Sequence, residues 1–216
     1  MIIFQLILAA LIGYLLGSLN TSLIVGKFYG VDVRHHGSGN AGMTNTMRTL
    51  GKKAALFVLL GDAAKGILAF SAGYYICGGN PQGHLGGMLT GTAAILGHLW
   101  PVFFGFKGGK GVLTTLAVVL MIDWPIALGL LGVFIVILLL TRYVSLGSVI
   151  AVFLFPVALI VFGRSIETIV FAVIIAVLII IRHQANIQRL LNGTESKFSF
   201  SKKPERKLDE KNEPEA

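Results

Sequence analysis

Apolar residues run along this chain in seven blocks separated by short polar interruptions. The first covers residues 2–26 and carries no charge before Lys27. The others fall at 53–77, 84–100, 112–122, 126–141, 146–162 and 166–181. A helix crossing a bilayer needs about 20 apolar residues at about 1.5 Å each. Most of the blocks approach that length; the block at 112–122 does not. It reads as a half-helix shielded by neighbours, or as a crossing extended by its flanks. The pattern predicts an all-α polytopic membrane protein of about seven transmembrane helices, built as one domain over residues 1–196. Residues 197–216 hold eleven charges and no apolar period, which predicts a solvated, disordered tail.

Composition agrees with the pattern. The chain is 55% hydrophobic and 13% charged, with a mean hydropathy of +0.80, where soluble domains are about a quarter charged. The net charge of +8 does not point to nucleic acid, because the basic residues are spread through the interruptions. No basic region precedes the first block, which makes it a retained span rather than a cleaved signal. Cys77 is the single cysteine, so an internal disulfide and a multi-cysteine metal site are excluded.

Lysine and arginine collect on the cytoplasmic side of membrane proteins. With the N-terminus outside, sixteen of the 18 basic residues fall inside, Arg164 falls outside and Lys65 lies within a span. The expected orientation is therefore N-terminus outside and C-terminus cytoplasmic. Asp62 and Lys65 sit three apart on one helix face within the second span. A lone charge at mid-bilayer costs about 2.5–3.5 kcal/mol on insertion scales, so the two are expected to pair or to face a polar cavity.

The same count puts three polar clusters on one face, together with the Tyr143–Ser148 turn. The first runs from His36 to Arg48 and includes Ser38, Gly39, Asn40 and Asn45. The second is Gly105-Phe106-Lys107-Gly108-Gly109-Lys110-Gly111, and the third runs from Arg182 to Arg189. Gly37, Gly39 and Gly42 form a literal G-x-G-x-x-G, but no strand or βαβ unit surrounds it, so a dinucleotide fold is rejected. The second cluster lacks the Lys-Ser/Thr pair of a nucleotide P-loop. What remains is glycine-rich backbone with Ser, Asn, Arg and Lys, which suits an oxyanion. Backbone N–H groups at Gly108 and Gly109 are expected to cradle a phosphate, with charge from Lys107 and Lys110. His183 and Asn186 share a face if the last helix continues through them, and His98 immediately precedes the second loop. No cluster has metal-ligand spacing, and no Ser-His-Asp set can be assembled.

Four stretches then carry a family resemblance. Ser38-Gly39-Asn40-Ala41-Gly42-Met43-Thr44-Asn45…Arg48 is followed by Gly61-Asp62-Ala63-Ala64-Lys65-Gly66. Gly97-His98-Leu99-Trp100-Pro101 leads into the Lys107–Gly111 loop, and Arg182-His183-Gln184-Ala185-Asn186-Ile187-Gln188-Arg189 leads to Gly193-Thr194-Glu195. Together they resemble the PlsY family, bacterial membrane-integral glycerol-3-phosphate acyltransferases that use acyl-phosphate. The resemblance runs from the first span to Glu195. It implies seven membrane helices in the bacterial inner membrane and a cytoplasmic site. It also implies acyl transfer to the 1-hydroxyl of sn-glycerol 3-phosphate, yielding lysophosphatidic acid and phosphate. By the same resemblance Ser38, Arg48, Lys107, Lys110, His183 and Asn186 belong to the site, with Asn40, Asn45, His98 and Ser145 beside them. The phosphate-binding backbone is expected at Gly39, Gly108, Gly109 and Gly111. The expected partners are acyl-phosphate, glycerol 3-phosphate and membrane lipid, with no nucleic acid, cofactor or obligate protein partner. A transporter of a small phosphorylated or anionic solute is the alternative, since it too wants a basic, glycine-rich site with broken helices.

Overall fold

The computed structural model describes residues 1–79 and 82–199. Every apolar block is a helix, and no strand occurs among the described residues. The first block is broken: α1 (Ile2–Ser18) and α2 (Thr21–Phe28) meet at Leu19-Asn20. Asn20 causes the restart, because its side-chain oxygen accepts from Leu23 N at 3.1 Å and caps α2. The first polar cluster holds a 3₁₀ turn at Val33–His35 and the short helix α3 (Met43–Leu50). The long helices are α4 (Lys52–Ile76), α5 (Gln82–Leu99), α7 (Trp124–Thr141), α8 (Val144–Val161) and α9 (Ile166–Arg182). Between α5 and α7 lies α6 (Val112–Ile122), eleven residues long. After α9 the axis bends by 60° into α10 (Gln184–Leu191).

Five of these segments, the joined α1–α2 among them, are long and apolar enough to cross a membrane, and the bent α9–α10 pair would be a sixth. The expected seventh is α6, which stays too short to count by length alone. The turn at Gly78–Pro81 is described only to Gly79, and the predicted tail lies outside the described residues from position 200 onward.

Small residues let the first half of the chain pack tightly. A Cβ built on Gly17 would stand 2.0 Å from the Ala94 carbonyl oxygen, and one on Gly97 would stand 2.2 Å from that of Tyr14. Helices α1 and α5 therefore touch backbone to backbone, as membrane helices do where side-chain burial from water gives no drive. The second half packs through larger side chains: Ile95 and Leu99 of α5, Val118 of α6, Phe155 and Leu159 of α8, and Phe171, Ile175 and Ile179 of α9 are all buried together. The Phe155 and Phe171 rings meet edge to face at 6.5 Å. Seen along the chain, α5, α7 and α9 each finish at the end of the bundle that holds the polar clusters. At the opposite end Arg164 Nε donates to Asp123 Oδ2 at 2.6 Å and ties the α6–α7 turn to the α8–α9 turn.

Candidate active site

The first loop is shaped from within. Asp32 accepts from the backbone N–H of Arg34 at 3.0 Å and from its guanidinium at 2.7–3.1 Å. The remaining Nη1 of Arg34 donates to the Phe104 and Lys107 carbonyls at 3.0 and 3.3 Å, which staples the first loop to the second. Buried Asn45 spends its whole amide on the loop: its oxygen accepts from Ser38 N at 2.8 Å, and its nitrogen donates to the Val33 and His36 carbonyls at 2.8 and 3.0 Å. It thus shapes the loop rather than facing a ligand. Ser38 and Gly39 are left exposed at the loop tip, with Asn40 half-buried beside them. From α3, Arg48 donates to the Ser196 carbonyl at 3.3 Å.

The second loop corrects one expectation. Gly108 N donates to the Leu99 carbonyl at 3.3 Å and Gly109 N to that of His98 at 3.1 Å. These two N–H groups close the C-terminal end of α5 and are not presented to a ligand. Nor do the two residues adopt positive φ; that conformation belongs to Gly105, Phe106 and Gly111. Gly108 and Gly109 are glycines because the loop lies against α5: a Cβ on Gly108 would meet the His98 carbonyl oxygen at 2.0 Å. Their own carbonyls accept from Arg182 Nη2 at 3.4 and 3.2 Å, while the guanidinium stacks 5.6 Å over the Trp100 ring. Lys107 is exposed, whereas Lys110 is mostly withdrawn from solvent and hydrogen-bonds to Asn186 Oδ1.

The third cluster straddles the α9–α10 bend rather than lying on one straight helix. His183 sits at the bend, 2% exposed, with its Nδ1 2.8 Å from the Ile179 carbonyl. A carbonyl only accepts, so Nδ1 carries the proton and Nε2 is the ring's working face. Asn186, on α10, donates to Glu195 Oε1 at 2.7 Å. Glu195 also accepts from Ser145 at 2.6 Å and from Arg189 at 2.8 Å. Burial works against its charge, but the hydrogen bonds from Ser145, Arg189 and Asn186 outweigh this and hold the carboxyl below its usual value. Desolvation pushes the Lys110 amine down to about 8; Glu195 opposes this, and the nearby cations Arg189, Arg48 and Arg182 add to it. Three guanidinium groups and one carboxylate thus act on the Lys110 amine, a surplus of positive charge in a partly desolvated site that suits a phosphate.

Beside this network, behind Gly111 and the first turn of α6, lies an apolar cavity of about 130 Å³. Its walls include Val112 and Val119 of α6, Ala127 and Phe134 of α7, Phe155 of α8 and Ile179 of α9; Thr115 and Ser148 are its only polar lining residues.

A family model for glycerol-3-phosphate acyltransferase matches residues 7–193. The chain belongs to that family. The acyltransferase is 42% identical to the glycerol-3-phosphate acyltransferase of Thermoanaerobacter sp. strain X514 over 193 residues, 89% of this chain and 95% of the relative. It is 43% identical to that of Clostridioides difficile strain 630 over 204 residues, covering 93% and 98% of the two chains. Its fold is similar to the crystal structure of PlsY, an integral membrane glycerol 3-phosphate acyltransferase, in its glycerol 3-phosphate form. The TM-score is 0.83 at 40% identity, over 90% of this chain and 96% of that one. A lysophosphatidic acid form of the same protein matches with a TM-score of 0.80 at 39% identity.

In this acyltransferase the three polar clusters and the α7–α8 turn do converge, through Arg34, Arg182, the Lys110–Asn186 contact and the Ser145–Glu195 bond. His98 is directed elsewhere, into a buried contact with Lys65. Sequence reasoning does not single out Arg34, Arg182, Arg189 or Glu195 as site residues. The available signal for Glu195 was that it is the one acid in a cationic segment.

Proposed function

We propose that this acyltransferase takes acyl-phosphate as its donor and acylates the 1-hydroxyl of sn-glycerol 3-phosphate. The products are lysophosphatidic acid and phosphate, and the reaction is the first acylation of phospholipid synthesis. The observation that carries this reading is the junction at Gly111, which separates Lys110 of the cationic network from Val112 in the wall of the apolar cavity. A donor with a phosphate and an acyl chain needs that pairing at its reacting carbonyl. The acceptor, a small phosphate ester, needs the cationic side alone.

In this scheme Lys110, Arg48 and Lys107 hold the phosphates, and Gly111 brings the backbone close to them. Ser38, Gly39, Asn40, His183, Asn186 and Ser145 orient the acceptor, directly or through Glu195. The acceptor oxygen forms a bond to the acyl carbon, the bond from that carbon to the phosphate oxygen breaks, and phosphate leaves with the bonding pair. The hydroxyl proton passes to a phosphate oxygen. A mixed anhydride is already activated, so positioning and charge stabilisation suffice without an acyl-enzyme. The basic bias of the loops supports a site on the cytoplasmic side of the inner membrane, with seven crossings and the N-terminus outside. Purified protein given palmitoyl-phosphate is expected to release phosphate only when glycerol 3-phosphate is added. Acylation with an acyl thioester but not with acyl-phosphate would overturn the donor assignment.

A further inference from the structure

Beneath the second loop lies a buried polar group outside the scheme above. Asp62, Lys65 and His98 are 1%, 5% and 3% exposed. The Lys65 ammonium stands 2.8 Å from Asp62 Oδ1 and 2.8 Å from His98 Nδ1, and donates to the Leu19 carbonyl at 3.3 Å. The Asp62 contact is an ion pair, and the other two are hydrogen bonds from an ammonium, which donates and has no acceptor. His98 Nδ1 must then be the acceptor, and the ring proton sits on Nε2.

Each end of this network touches a loop of the site. His98 accepts Gly109 N through its carbonyl, and its Nε2 lies 2.3 Å from where a Gly109 Cβ would stand. That same Cβ would also meet the Ala41 carbonyl oxygen of the first loop at 2.4 Å. Lys65 holds Leu19 at the α1–α2 break, and the next residue, Asn20, donates to Ala41 O at 3.4 Å. Gly109 thus packs against both the His98 ring and the first loop, one residue before Lys110. A buried ion pair contributes little net stability compared with apolar groups of the same shape. Its worth here lies in geometry: three charged or polar groups packed into one arrangement hold a backbone segment at one height.

We propose that Asp62, Lys65 and His98 are positioning residues for the acyl transfer, setting the height of Gly109 and hence the place of the Lys110 ammonium against the acceptor's phosphate. This rests on the reading that Lys110 binds that phosphate. The test compares His98→Asn, whose side-chain oxygen can still accept from Lys65, with His98→Leu, which cannot. Steady-state constants are measured on monodisperse protein alongside thermal unfolding, with Lys110→Ala as control. In His98→Leu, KM for glycerol 3-phosphate should rise by about tenfold or more, with a smaller change in kcat. His98→Asn should recover most of that loss. Should His98→Leu not fold, Asp62→Leu/Lys65→Met removes both buried charges at once, and the same rise in KM is expected. Wild-type KM in either folded variant, or a loss of folded protein with unchanged KM in the remainder, overturns the proposal. A normal KM in Lys110→Ala would instead sink the phosphate assignment, which separates the two failures.

Discussion

Lys110 is the residue on which the site turns. Withdrawal from solvent and neighbouring guanidinium groups bring its amine down to about 8, so its charge is lost on raising the pH well before that of an ordinary lysine. An anion needs the charged form, so the Lys110 share of affinity is half lost near pH 8 and fades further above it. KM for glycerol 3-phosphate should therefore climb as pH rises from 7 to 9. Lys110→Arg keeps its charge across that range and should flatten the climb, even if donor geometry weakens binding at every pH. An unchanged climb in Lys110→Arg would show that another group titrates. His183 separates two mechanisms. A general base would be worth about 10²–10⁴-fold in rate, with the loss shrinking as pH rises. The Nδ1 contact to Ile179 orients the ring, and positioning is the role expected here. His183→Ala should raise KM for glycerol 3-phosphate with little dependence on pH.

Elements place these residues by where helices stop. Asn20 interrupts the first apolar block, Gly111 starts α6, and His183 marks the 60° bend between α9 and α10. Each break faces the same end of the bundle, so backbone irregularity collects where polar groups gather and the other end is finished with short turns. The charge bias is the ground for the proposed cytoplasmic placement of that end. Single cysteines at Gly39 and Asn192, in a Cys77→Ser background, should resist an impermeant thiol reagent added outside intact cells, while one at Ser165 should react. Labelling of Gly39→Cys from outside would overturn the cytoplasmic placement. The seven blocks were legible because spans are long and apolar, and their boundaries held to within about two residues, inside the usual disagreement at helix ends. The break at Leu19-Asn20 was not legible, since both residues sit inside an uncharged run and only Asn20's cap to Leu23 reveals the restart.

For the whole molecule, the defining feature is an apolar cavity set against a cationic network. If the acyl chain enters between α6 and α8, filling the cavity should hurt the donor alone. Ala127→Phe, at a buried wall position, should raise KM for palmitoyl-phosphate and leave KM for glycerol 3-phosphate near wild type. Equal effects on both substrates would detach the cavity from the donor. The sequence by itself determined the helical membrane class, and its charge bias and spacing predicted that the loops of Ser38, Lys110 and His183 gather at one end of the bundle. Those properties depend on composition, charge bias and spacing, which are local quantities. Only the tertiary structure decided which groups are free to act. It turned the Gly108 and Gly109 N–H groups toward the end of α5, committed the Asn45 amide to the first loop, and sent His98 to Lys65. It also brought Glu195 to Ser145, fifty positions away in the chain. A hydrogen-bonding group has few partners to give, and whether they are spent inside the fold or kept for a substrate depends on neighbours that only folding supplies.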